Sequence, residues 1–303
     1  MPDSALEDTE RQFRGLLSAA AGPRGVYLRL SYLPEVPRSA AAREALDERY
    51  WPLDELLSSR LDALIVTGTE PRALSLRDEP YWKRLVEVLT WAEAHTVSSI
   101  WSCLSAHAAV LHLDGVERQR LPEKLCGVFS HAVAEHPLTA GLAAPLATPQ
   151  SRWNDLPPAG LAAAGYTILS HSPETGANAF VKHGRSLLVF FQGHPEYEDR
   201  TLLKEYHRDV RRFLAGQQAR YPDPPAGYFP AEALAPLRAF EAAALADRNT
   251  VQIEAFPYMA VATRLVNPWR AAAVQIYENW FSIVAAGRRA AQSVQRNAIA
   301  LPR

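Results

Sequence analysis

A chain of 303 residues that is 48% hydrophobic and 21% charged falls inside the globular range and can bury one large core, which excludes a disordered or fibrous protein. A formal charge of −1 gives no support to a nucleic-acid or anionic-membrane partner, although basic residues can still cluster locally, as a coenzyme A site requires. The only cysteines, Cys103 and Cys126, rule out a disulfide framework and fit a reducing compartment; with no signal peptide and no apolar run of spanning length, the expected location is the cytoplasm.

Taken in order, Ala5 to Leu17 predicts an amphipathic helix with Leu6, Phe13, Leu16 and Leu17 on one face. Val26 to Leu33 alternates enough for a strand, closed by Pro34 and Pro37. Arg38 to Leu57 is polar and helix-compatible. Leu61 to Gly68 reads as a buried parallel strand whose end, Thr67-Gly68-Thr69-Glu70-Pro71-Arg72, forms a loop on the side where open α/β sheets bind ligands. Tyr81 to His95 carries an apolar stripe of Trp82, Leu85, Val86, Leu89 and Trp91 and reads as a core-facing helix.

The stretch from Thr96 to Leu113 is the pivot of the chain. Its first half is β-branched and apolar, its second Ala-rich with helical spacing, so Cys103 falls where one period gives way to the other. A strand turning sharply into a helix holds its pivot side chain out, and Ser102, Ser105 and Ala106 are small enough for the tight turn. The following helix aims its N–H groups and positive dipole end at the sulfur, which favours a thiolate. The competing reading is an inert core cysteine, since free Cys is among the most buried residue types.

Gly115 ends that helix, and Val116 to Pro122 reads as a connector. Taken on residue type alone, Lys124 reads as surface and Ser151 as a turn residue. Gly165 to Leu169 and Ala177 to Lys182 read as a strand pair joined at Pro173-Glu-Thr-Gly176. Ser186 to Tyr197 is an apolar strand that ends in Gly193, followed at once by His194, Pro195 and Glu196. An imidazole and a carboxylate thus sit on a loop at a strand's C-terminal end, with Pro195 limiting their freedom. A His near a Cys can take its proton, and a carboxylate near the His can set its tautomer. Alone, a His-Pro-Glu tripeptide is equally a solvated turn. Asp199 to Phe213 reads as a helix capped by an early acid, bearing Arg208. Tyr221 to Pro230 is Pro-rich and extended, and Ala231 to Arg303 is Ala-rich and helical; its Trp269, Trp280, Phe281 and Ile283 imply packing on the domain or on a partner subunit.

Together, the Cys elbow and the strand-Gly-His-Pro-Glu sequence resemble the class I glutamine-amidotransferase-like α/β fold: a flavodoxin-like parallel sheet flanked by helices, here with a helical C-terminal extension. More narrowly, Gly193 to Tyr197, Glu205-Tyr-His-Arg-Asp209, Pro122-Glu-Lys-Leu-Cys-Gly-Val-Phe129 and Tyr81-Trp82 resemble the homoserine O-acyltransferases that start methionine biosynthesis. The likeness runs from Met1-Pro2 through Thr9-Glu-Arg-Gln-Phe13 to about Pro230, with a looser echo at Trp269 and Asn279-Trp280.

This resemblance implies an acyltransferase domain over 1–220, a linker over 221–230 and a helical extension over 231–303. In the family the first helix follows a strand that this sequence lacks, so either the chain begins late or its true start lies upstream. The resemblance also implies Cys103 as nucleophile, His194 as base and acid, and Glu196 orienting it or the acceptor. The Leu104 N–H and a neighbouring loop would hold the oxyanion, and Lys124, Ser151 and Arg208 the acceptor. Family members meet the acyl group at the position of Arg72: a residue without a side chain favours succinyl and Glu favours acetyl. Arg72 departs from both, and either pairs with a succinyl carboxylate or faces solvent. The implied co-substrates are succinyl-CoA or acetyl-CoA with L-homoserine or L-serine, in a homodimer without bound cofactor or metal. Glutamine amide hydrolysis, or a binding module that has lost activity, are the rival readings. Against the first, the elbow lacks the flanking glycines of typical amidotransferases.

Overall fold

The computed structural model describes residues 3–300, with side chains to 293. Met1 and Pro2, where the resemblance starts, and the last three residues of the expected helical tail lie outside that range. In chain order the elements are α1 (Leu6–Ala21), α2 (Ala40–Arg49), α3 (Leu53–Ser58), β1 (Ala63–Val66), α4 (Trp82–His95), β2 (Ser98–Ser102), α5 (Leu104–Asp114), β3 (Gln119–Val133), β4 (Leu146–Asp155), α6 (Pro158–Ala163), β5 (Thr167–Ser172), β6 (Gly176–His183), β7 (Leu187–Phe191), α7 (Thr201–Leu214), α8 (Ala231–Ala246), α9 (Tyr258–Ala262) and α10 (Arg270–Ala300).

The strands form one sheet in the order β1-β2-β7-β6-β5-β3-β4. The expected parallel part is β1-β2-β7. From β7 onward every pairing is antiparallel, which extends the strand pair expected beside the His strand into a broader meander. β2 and β7 are buried along their whole length, and their side chains divide between two helical layers with the period of two that a pleat imposes. Trp101, Leu188, Phe190 and Phe180 face α4 and α5. Ile100, Val189, Phe191 and Val181 face α1 and α10.

The apolar face of α1, with Phe13, Leu16, Leu17 and Ala20, packs with Ala273, Ile276, Tyr277 and Trp280 of α10. Gly22, at φ 54°, ends α1, as Gly115 at φ 68° ends α5. α10 reaches into the parallel strands: Trp280 Nε1 donates to Ser98 Oγ at 2.8 Å, and that hydroxyl donates to the Leu187 carbonyl at 2.7 Å. A third apolar cluster joins α7, α8 and Trp269 over Cys126 and Val128 of β3. The Pro-rich stretch is pinned there too. The Ala226 N–H donates to Cys126 O at 2.9 Å and Val128 N–H donates to Ala226 O at 2.8 Å. Gly127, at φ 152°, has no room for a Cβ against the Ala226 backbone.

Three expectations need correction. Val26 to Leu33 is not a sheet strand: its one ladder contact is an isolated bridge from Ser31 to Trp51. Strands pair at about 4.8 Å, and this segment is held away from β1 by a cavity of about 660 Å³ lined on one side by Leu28 and Leu30 and on the other by Ala63 and Ile65. The connector Val116 to Pro122 runs into β3, where Gln119 and Arg120 pair with Asp155 and Asn154; solvent-exposed polar residues concealed that strand. The acid cap of α7 is not used either. The helix begins only at Thr201, with Arg200 at the cap and no side-chain capping bond.

Candidate active site

Cys103 lies between the end of β2 and the start of α5 at φ 56°, ψ −117°. Among the described residues it is the only non-glycine with positive φ, a strained conformation that holds only when its surroundings fix it. They do so by hydrogen bonding. Cys103 N–H donates to Phe191 O at 2.7 Å, and Ala106 and His107 N–H donate to Cys103 O at 3.0 and 3.3 Å. Ser105 Oγ accepts from Ser102 N–H at 2.9 Å and donates to Val66 O at 2.7 Å, tying the turn to the end of β1.

The loop after β1 presses on the same turn. A Cβ at Gly68 would stand 2.8 Å from Leu104 N and 2.9 Å from Leu104 Cβ, so glycine there is a steric requirement. No side chain caps α5. Its N-terminal end, the Leu104 amide and the loop backbone therefore border the half-buried Cys103 together.

The imidazole arrives from β7. Gly193 passes through a space that a Cβ would fill, 2.5 Å from Asn178 Oδ1 and 2.6 Å from Gln150 Nε2. The next residue is anchored by His194 N–H donating to Pro149 O at 2.9 Å. His194 Nδ1 bonds Glu196 Oε1 at 2.8 Å, and both side chains are buried. The Cys103 sulfur is near enough to act on the imidazole, and with Nδ1 held by Glu196 Nε2 is the nitrogen left to face it. Burial works to lower the His194 pKa, but the charges of Glu196 and Cys103 outweigh it and hold the group well above its ordinary value. Glu196 Oε2 is buried without a hydrogen-bond partner among the described residues.

A second, charged group adjoins this one. Lys124 of β3 contacts Asp209 at 2.7 Å and Glu205 at 3.5 Å, both on α7. Ser151 is on β4, paired with Cys126 across the ladder, and is not a turn residue; its hydroxyl donates to Glu205 Oε2. Arg208 Nε donates to Asp209 Oδ1 at 3.0 Å. Burial alone would raise the Glu205 pKa and lower that of Lys124; their mutual attraction reverses both, so Glu205 titrates low and Lys124 high. Cys126, in the same place, is pushed up to about 12 chiefly by burial and is no nucleophile. Lys124, Ser151 and Arg208 thus meet through Glu205 and Asp209, which the sequence places in a motif without giving either a role. Their spacing was a usable signal: residues 205, 208 and 209 share one helix face.

Arg72 stands apart from both groups. It is exposed, and its guanidinium donates to Pro37 O at 3.4 Å. Its backbone is fixed instead: Arg72 and Ala73 N–H both donate to Glu79 Oε1, at 2.6 and 2.8 Å. Two residues earlier, Glu70 pairs with Arg212 of α7 at 3.8 Å, so this loop reaches from the elbow to the charged group.

The family model described as homoserine O-succinyltransferase matches residues 1–289, the whole site included. The chain belongs to the homoserine O-succinyltransferase family. Similar family members, each named homoserine O-succinyltransferase, include one from Rhodopseudomonas palustris, 48% identical over 281 residues that cover 92% of this chain and 84% of the relative. A second, from Methylorubrum extorquens, is 47% identical over 94% of this chain and 85% of its own. A third, from Bradyrhizobium japonicum, is 45% identical over 95% and 88%. A glutamine amido transferase structure from Methylobacillus flagellatus superposes more loosely, with a TM-score of 0.48 and 18% identity over 79% of this chain and 86% of its own. Membership in the homoserine O-succinyltransferase family makes the chain an acyltransferase.

Proposed function

We propose that this chain transfers a succinyl group from succinyl-CoA to the side-chain hydroxyl of L-homoserine, by way of a thioester on Cys103. The observation that carries the reading is the contact sequence Cys103, His194, Glu196 lying beside a charged group suited to an amino acid. In the first half-reaction the Cys103 thiolate attacks the thioester carbonyl. The negative oxygen formed is met by the Leu104 N–H and the backbone of the Gly68 loop; a donor of this kind is worth about a hundred- to a thousand-fold in rate. The carbon–sulfur bond to coenzyme A breaks, and the leaving thiolate takes the proton from His194.

Acylation changes the base as well as the nucleophile. The Cys103 charge is one of the causes that hold His194 protonated; in the thioester it is gone, and the imidazole pKa falls. His194 is then ready to take the acceptor's hydroxyl proton as that oxygen attacks the acyl carbon, and Cys103 leaves as thiolate. Such base catalysis contributes roughly a hundred- to ten-thousand-fold. Glu196 keeps Nδ1 occupied, so Nε2 does the transfer. Arg208 takes the acceptor's α-carboxylate, Lys124 and Ser151 line its path, and Glu205 and Asp209 face its α-ammonium.

Arg72 is proposed to bear on donor choice, through a loop whose backbone Glu79 holds in place. The free thiols Cys103 and Cys126 accord with a cytoplasmic enzyme, and the family resemblance supports a homodimer, which sedimentation tests directly. No helix among the described residues is long and apolar enough to cross a membrane.

The deciding experiment is intact-mass analysis after mixing with succinyl-CoA. A succinyl adduct that homoserine discharges, and that Cys103→Ala lacks, is the expected result. No adduct, or an adduct retained in Cys103→Ala, refutes the thioester route. Parallel arms with acetyl-CoA and with L-serine rank the donors and acceptors.

A further inference from the structure

The residue after the His-Pro-Glu sequence has no assigned role, yet it touches both halves of the site. The Tyr197 ring stacks on His194 with centroids 4.2 Å apart and planes 16° from parallel. Its hydroxyl donates to Glu205 Oε1 at 2.6 Å, while Glu205 Oε2 faces Ser151 and Lys124. Its backbone is fixed at both ends. Tyr197 N–H donates to His194 O at 3.2 Å. The Tyr197 carbonyl accepts from Trp269 Nε1 at 2.7 Å and from Asn267 Nδ2 at 3.3 Å. Trp269 is buried in the cluster that joins α7 and α8. One side chain therefore spans from the catalytic base to the carboxylate of the charged group, and a residue from the C-terminal region fixes its place.

We propose that Tyr197 is a positioning residue that registers the acceptor site against His194, its hydroxyl governing the second half-reaction and not the first. This rests on the acyl-thioester reading above. The chemistry of each contact explains the division. Burial, and then the Glu205 charge, keep the phenol protonated throughout the working range, so it can only donate to Glu205 and thereby fixes which carboxylate oxygen remains for Lys124 and Ser151. Attack of the Cys103 thiolate on an acyl-CoA makes no use of that carboxylate. The face of the ring stabilises the imidazolium over the neutral imidazole, so the stack also sets the pH at which His194 becomes a base. The Trp269 and Asn267 bonds hold the Tyr197 main chain from which the ring reaches the imidazole, which gives the C-terminal region a function at the site.

Single-turnover measurements on the full chain separate the two steps: acylation by succinyl-CoA is followed by intact mass, and discharge of the isolated acyl-enzyme by added homoserine. Tyr197→Phe keeps the stack and removes the bond to Glu205. Acylation is expected within about two-fold of the unsubstituted protein, with discharge slowed roughly ten-fold, the size of one lost hydrogen bond to a charged group. Tyr197→Leu removes the stack as well, and the pH at which discharge reaches half its maximum is expected to fall, because the imidazolium loses its aromatic partner. Trp269→Phe keeps the packing, and its effect on discharge runs in the same direction at about two- to three-fold. Equal slowing of both steps by Tyr197→Phe, or no change in discharge, overturns the inference. Absence of any adduct in the unsubstituted protein instead overturns the acyl-thioester reading, and this inference with it.

Discussion

The two halves of the site are built by different means. The nucleophile belongs to the parallel half of the sheet and is made by backbone: a strained φ at Cys103, a glycine at 68 where no Cβ fits, and amides at the start of α5. The acceptor side belongs to the antiparallel half and is made by side chains, with Lys124 of β3 and Ser151 of β4 meeting Glu205 and Asp209 of α7. Backbone sites are rigid and intolerant of added atoms, since any new Cβ meets main chain. Side-chain sites tolerate added volume better but depend on every charge retaining its partner.

The largest effect is expected from one carbon added on the backbone side. Gly68→Ala puts a methyl against Leu104 N and Cβ, which displaces the loop or the elbow. The expected outcome is a loss of about a hundred- to a thousand-fold in the acylation rate, while the affinity for homoserine, measured by calorimetry, is preserved. If acylation survives unchanged, the Gly68 loop takes no part in holding the oxyanion.

Removing a charge from the other half should act on folding as well as on turnover. Lys124→Met leaves Glu205 buried without its ion-pair partner, while Asp209 keeps Arg208 and Arg212; the cost is expected below the roughly 3–5 kcal/mol of a fully broken buried pair. The pH sign follows from the directions of the shifts. In the unsubstituted protein both carboxylates titrate below their ordinary values, so their contribution is complete above an unfolded pKa near 4 and is lost as pH falls through the folded one. Without the lysine their folded pKa rises, and acidification then relieves the burial of charge. Denaturant titrations should show the gap between the two proteins shrinking from pH 7 toward about pH 4. A gap independent of pH would mean that the lysine packs without pairing.

The same contrast explains what could be read in advance. The Cys103 elbow was legible because two hydrophobic periods meet there, and the His strand because an uninterrupted apolar run ends at Gly193. Those are local, backbone-scale signals. Glu205 and Asp209 look like any solvated helix charge until β3 and β4 bring Lys124 and Ser151 against them; their spacing along α7 marks a shared face but not what that face meets. Val26 to Leu33 shows the converse: its pattern suits a strand, but pairing needs a neighbour at ladder distance, and a cavity lies in that place. The start of β3 was obscured because polar residues on an exposed ladder resemble a loop, and Ser151 because its buried strand, β4, is itself polar at Gln150 and Arg152.

The mildest change is expected where the halves meet, on the loop after β1. Arg72 is exposed, but its amide is held by Glu79. Arg72→Gly therefore removes a charge while the amide bond to Glu79 stays available to hold the loop. A fall of roughly two- to five-fold in the succinyl-to-acetyl rate ratio is expected, the size of an exposed ion pair. An unchanged ratio would assign donor choice to the loop's main chain alone.

The void beside β1 carries its own consequence. Unfolding a chain eliminates its internal empty space, so compression favours whichever state has less of it. A partly open hollow of about 660 Å³ whose wall includes Gly68, Leu104 and Ser105 leaves the nucleophile's side of the molecule less closely packed, so the side where hydrostatic pressure drives water in first. At a few kilobar the elbow should give way while the meander of β3 to β6 is still in register.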